Sequence, residues 1–79
     1  MSIENLKWEG NSKAMFEKVV SFAPGPMQEL VKNDFIAWVE KRNIAVMTEE
    51  LMEQNIKETA PGPFLNMLLD QIIPLKTKP

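Results

Sequence analysis

Apolar residues recur at helical spacing in four stretches of this chain, and two copies of one tetrapeptide separate them. From Lys13 to Phe22 the apolar positions are Met15, Phe16, Val19 and Phe22. From Pro26 to Arg42 they are Met27, Leu30, Val31, Phe35, Trp38 and Val39, a stripe at i, i+3, i+4, i+8, i+11 and i+12. Ala23-Pro24-Gly25-Pro26 lies between these stretches, and Ala60-Pro61-Gly62-Pro63 repeats it 37 residues on. Proline lacks a backbone N–H and clashes with a preceding helical turn, yet suits the first position of a new helix. Each copy therefore ends one helix and starts another. Residues flanking the two copies match poorly, which favours independent helix punctuation over duplication.

Helices are predicted over about 12–22, 26–42, 48–59 and 63–73. Ser12 is placed as the cap of the first, after the break at Gly10-Asn11. Lys41 and Arg42 complement the negative end of the second, and Asn43 follows where a left-handed residue is wanted. Ile44-Ala45-Val46-Met47 reads as a buried connector, since no partner strand is evident. Thr48 caps the third helix, Glu49 and Glu50 favour its positive end, and Met47 with Met52 forms a hydrophobic staple. The expected fold is all-α: a small three-helix orthogonal bundle with an additional C-terminal helix. Residues 1–11 are an N-terminal arm in which Ile3, Leu6 and Trp8 form a helical turn or an extended segment. The helical domain is 12–73, and 74–79 is a flexible tail.

The last helix is greasier than self-burial requires. Phe64, Leu65, Met67, Leu68, Leu69, Ile72 and Ile73 are interrupted only by Asn66, Asp70 and Gln71. Either this segment docks on a partner protein or a second copy of the chain, or it plugs the open side of the core. The partner-facing residues under the first reading are Phe64, Leu68 and Ile72. Trp8 joins them as an aromatic with no helical register to bury it, unless the arm folds back on the core.

Composition narrows the chemistry. With no cysteine and no histidine among 79 residues, disulfides, thiolate clusters, histidine-based zinc sites and Ser-His or Cys-His catalysis are removed. No catalytic, metal or cofactor residue is assigned. A carboxylate pair such as Glu49 and Glu53 shares a helix face, but reads more simply as solvated charge near the helix start. Six methionines fill apolar faces. The net charge of −2 shows no basic face for nucleic acid. A helix-turn-helix reading of the second and third helices fails on charge: Glu49, Glu50, Glu53 and Glu58 against Lys57 leave the would-be recognition helix at −3. The apolar runs are too short to span a bilayer and the N-terminus lacks signal-peptide order, so a cytoplasmic protein is expected.

Trp8, the first helix, Pro24, the second helix and the Met47-Thr48-Glu49-Glu50 cap together resemble the small helical domain at the C-terminus of the light-independent protochlorophyllide reductase B subunit, which also occurs as free-standing proteins. Met27, Val31, Phe35 and Trp38 fall where that family has apolar or aromatic residues. The resemblance spans roughly residues 8–58. It departs at Gln28, where the family favours arginine, and at Asn43, which stands in for a turn glycine. The resemblance implies a non-enzymatic accessory module in chlorophyll biosynthesis that contacts a partner subunit. A tetrapyrrole or other flat pigment ligand, with Trp8 stacking on it, is the alternative.

Overall fold

In a computed structural model that describes residues 6–77, the chain is mostly helical. The order is β1 (Lys7–Trp8), α1 (Ser12–Ser21), α2 (Gly25–Lys41), β2 (Val46–Met47), α3 (Glu49–Thr59) and α4 (Gly62–Ile72), closed by a 3-10 turn at Ile73–Leu75. Ile3 lies outside the described residues.

The two proline joints act alike. Pro24 and Pro61 are the N-caps of α2 and α4, both with extended backbone (φ −56°, ψ 149° and φ −59°, ψ 144°). The following Gly-Pro opens each helix with a proline in the first turn, where its missing N–H has no partner to lose. Asn43 takes φ 55° and ends α2. Its N–H donates to Glu40 O, and Ile44 N–H donates to Val39 O at 3.1 Å, the paired bonds of a Schellman turn. Thr48 caps α3 through its hydroxyl, which accepts from Leu51 N–H at 3.1 Å.

Three expectations change. The connector 44–47 does have a partner: β2 pairs parallel with β1, Lys7 opposite Val46 and Trp8 opposite Met47. The α1–α2 pair supplies the crossover that parallel pairing requires, a long-range contact invisible to local periodicity. The cap of α1 is Asn11, not Ser12. Ser12 is fully buried and its hydroxyl donates to Met47 O at 3.1 Å, tying α1 to β2. The tail is not frayed over 74–77. Lys76 Nζ lies 2.7 Å from Glu53, and Thr77 N–H donates to Glu49 at 2.8 Å.

One core unites these elements. Met15, Met47, Met52 and Ile72 are fully shielded at its centre. Phe16 and Phe35 meet at 4.5 Å between centroids, and Trp8 stacks on Phe35 at 5.9 Å and 6°. The arm therefore folds back. The element order also repeats, strand–helix–joint–helix. Some equivalents 37 residues apart share burial, Met15 with Met52 and Phe35 with Ile72, whereas Trp38 is buried and its equivalent Leu75 only partly so.

Candidate functional site

Only half of the α2 stripe reaches the core. Phe35, Trp38 and Val39 are buried, whereas Met27 and Leu30 are exposed, Leu30 by 53 %. So small a chain has too few elements to cover a helix of 17 residues along its whole length. The uncovered end faces the start of α4, and between them runs a groove of about 320 Å³.

The two joints build this groove from equivalent residues. Pro24 and its counterpart Pro61 both line it; Met27 corresponds to Phe64, and Val31 to Leu68. Ala23 and Ala60, small at both joints, also line it. No charged side chain lines it. Phe22, Phe64 and Met67 rise from its walls, Phe64 52 % exposed.

The four residues named as partner-facing separate here. Phe64 is exposed on the groove. Leu68 lies at its floor and is buried, while Ile72 is wholly enclosed in the core and presents nothing to a partner. Three- and four-residue spacing put all three on one stripe, but that stripe turns from surface to core along α4. Trp8 is half-buried against Phe35 and Phe16. Met27, Leu30 and Phe22 lie on apolar stripes whose helical spacing alone points to packing. Their exposure follows from the absence of a covering element, which no residue pattern signals.

On the opposite face of α3 the acidic residues are committed to internal contacts. Glu49 is buried and its carboxylate accepts from Asn11 N–H at 2.7 Å, from Thr77 N–H, and from the Thr77 hydroxyl at 2.9 Å. Asn11 Nδ2 in turn donates to Leu75 O at 2.7 Å. Glu58 accepts from Trp38 Nε1 at 3.2 Å and from Gln54, and pairs with Arg42, whose guanidinium lies over the Trp38 ring at 4.3 Å. The Gln54 and Trp38 hydrogen bonds, with Arg42 adding its charge, hold the Glu58 carboxyl below its ordinary value. Glu49 thus acts as a clasp between the turn before α1 and the segment after the 3-10 turn. Among the described residues no cluster of three or more acidic side chains is placed to hold a metal.

Glu53 sits between Lys76 and Lys57, at 2.7 and 2.9 Å. Hydrogen bonding from Lys76 first, then Lys57, lowers its pKa. Hydrogen bonding to Glu53 raises that of Lys76. A lowered carboxyl pKa contributes stability above its unfolded value, near 4.5, and that contribution is lost as pH falls through the lower folded value. The raised lysine contributes below 10.5 and loses it as pH climbs past the folded value. Stability of wild type is expected to fall relative to Lys76→Met on acidification below about pH 4.5. Parallel urea midpoints from pH 3 to 7 check this; curves that stay a constant distance apart would refute it.

No family model, curated protein or solved structure matches the chain. No helix among the described residues is long and apolar enough to cross a membrane.

Proposed function

We propose that this chain is a small non-enzymatic interaction module that docks a partner protein through the apolar face carrying Phe22, Met27, Leu30, Phe64 and Met67. In this reading α1–α3 form an orthogonal bundle, and α4 completes the docking face. The concentration of uncovered large apolar side chains around one uncharged groove carries it, since such patches on small domains mark contacts with other molecules. The resemblance to the reductase-associated helical domain adds a context: an accessory contact to a subunit in pigment biosynthesis, in the cytoplasm. Phe64→Asp tests the proposal. Stability should change by about 0.5 kcal/mol or less, as at other surface positions. A protein captured by wild type from native lysate should be lost about thirtyfold, the factor for a 2 kcal/mol hot spot. In the complex, the Phe22, Met27 and Met67 resonances should shift. Capture that ignores Phe64→Asp would refute the assignment of this face.

A second reading, binding of a flat pigment, is favoured by a different cavity. Trp8 and Phe16 line about 410 Å³ together with Lys13, Lys32 and Glu17, an aromatic wall beside two cations and one carboxylate, with net positive charge for a planar ligand bearing carboxylates. A tetrapyrrole should quench Trp8 emission in a Trp38→Phe background, and Lys32→Glu should weaken that quenching. Quenching indifferent to Lys32 and Lys13 would dismiss it.

A further inference from the structure

The groove between the two joints holds one polar feature that the fold does not use. Asn55 lines it and is only 5 % exposed. Its side chain makes no hydrogen bond among the described residues, although no fully enclosed side-chain polar atom there lacks a partner. The carboxamide therefore keeps contact with solvent, and the groove is the cavity that Asn55 lines. The nearby Thr59 hydroxyl is already donated to Asn55 O at 2.7 Å. What remains is a largely buried carboxamide with no hydrogen-bond partner among the described residues, on a residue that lines an otherwise mostly apolar groove.

We infer that the occupant of this groove is a partner helix whose docking face is aliphatic and carries one uncharged carboxamide, which Asn55 recognises. This rests on the reading that the face docks a protein. Charge decides the chemistry. A charged group entering here would lose its hydration with no counter-ion among the lining residues. A purely aliphatic occupant would strand the Asn55 amide, which costs more than the contact returns. A glutamine or asparagine offers acceptor and donor together and so pairs with Asn55 on both. Size and shape agree. About 320 Å³ holds about ten groups of water or methylene size, two or three leucine-like side chains. Both walls are helices, so no strand edge in the groove invites backbone pairing, and side chains from a helix face do the filling.

The probes are hexanamide and hexanoate, equal in chain length and differing in the charge of the head group. Each is titrated at neutral pH into the full chain while the amide spectra of Asn55, Ile56 and Leu68 are followed. Hexanamide should bind about tenfold more tightly than hexanoate, because the uncharged walls cannot offset a carboxylate's lost hydration, and should move the Asn55 side-chain NH2 signals. Asn55→Leu, near in volume and checked for a native spectrum, should weaken hexanamide by about fivefold, the factor for one hydrogen bond of ordinary strength. Met67→Asp, at the rim, should weaken both probes while keeping the preference for the amide. Equal binding of the two probes to wild type, hexanamide binding unchanged in Asn55→Leu, or no movement of these resonances by either probe overturns the inference. None of these decides the docking reading itself, which stands or falls on the Phe64→Asp capture.

Discussion

Phe35→Ala is expected to lose about 3–5 kcal/mol, the range for emptying a buried aromatic site. A domain of 79 residues has about 4–12 kcal/mol to lose at typical stability per residue, so the variant should be marginal at room temperature. The effect is large because Phe35 joins two parts of the molecule. Its ring lies 4.5 Å from Phe16 on α1 and is stacked on Trp8 of β1. Removing it empties a core position and frees the strand that pairs with Val46–Met47. Urea unfolding followed by tryptophan emission reads both consequences. The midpoint should fall and the native-state emission should shift to the red as Trp8 gains solvent. Phe35→Leu should recover much of the loss. A cost under about 1 kcal/mol, with emission unchanged, would mean that the N-terminal segment is not held as described.

Glu49→Ala is expected to be the most damaging change of a polar residue, at about 2–4 kcal/mol, because hydrogen bonds to a charged acceptor are worth about 1.5–3 kcal/mol and several converge here. The Asn11 and Thr77 backbone N–H groups and the Thr77 hydroxyl all donate to this carboxylate. One side chain thus binds the turn before α1, the start of α3 and the segment after the 3-10 turn. Gly10 belongs to the same arrangement: its φ is +59°, and a Cβ there would meet Glu49 Oε2 at 2.6 Å. Glycine is needed on both counts. Hydrogen exchange at Asn11 and Thr77 should quicken by about thirtyfold in Glu49→Ala, while exchange in the middle of α2 follows global stability alone. Glu49→Gln should fall between, since its amide turns a donor toward donors. Unaltered exchange at Thr77 would show that the clasp does not hold the tail.

Glu49, Glu53 and Glu58 of α3 each have an internal hydrogen-bond or ion-pair partner in the structure. The uncovered apolar surface gathers instead at the joints. Phe64 was legible as a surface residue from the excess greasiness of α4, whereas Ile72, on the same helical stripe, was not distinguishable from it. Asn55 carried no signal at all. A lone asparagine in an acidic helix looks like ordinary surface until the fold buries all but its amide.

Local rules determined the helices. Proline and glycine act within one turn, so Ala-Pro-Gly-Pro set the starts of α2 and α4. Thr48 and Asn43 marked the ends around the connector by the same short-range chemistry. The all-α class followed from apolar spacing. Tertiary structure alone decided what lies next to what. The β1–β2 pairing spans 39 residues from Lys7 to Val46, the Glu49 clasp joins residues 28 and 38 apart, and the groove joins two halves 37 residues apart. Periodicity reports which face of a helix is apolar. Whether that face meets a neighbour or water depends on how many elements the chain has left to cover it, and here they run out at the two proline joints.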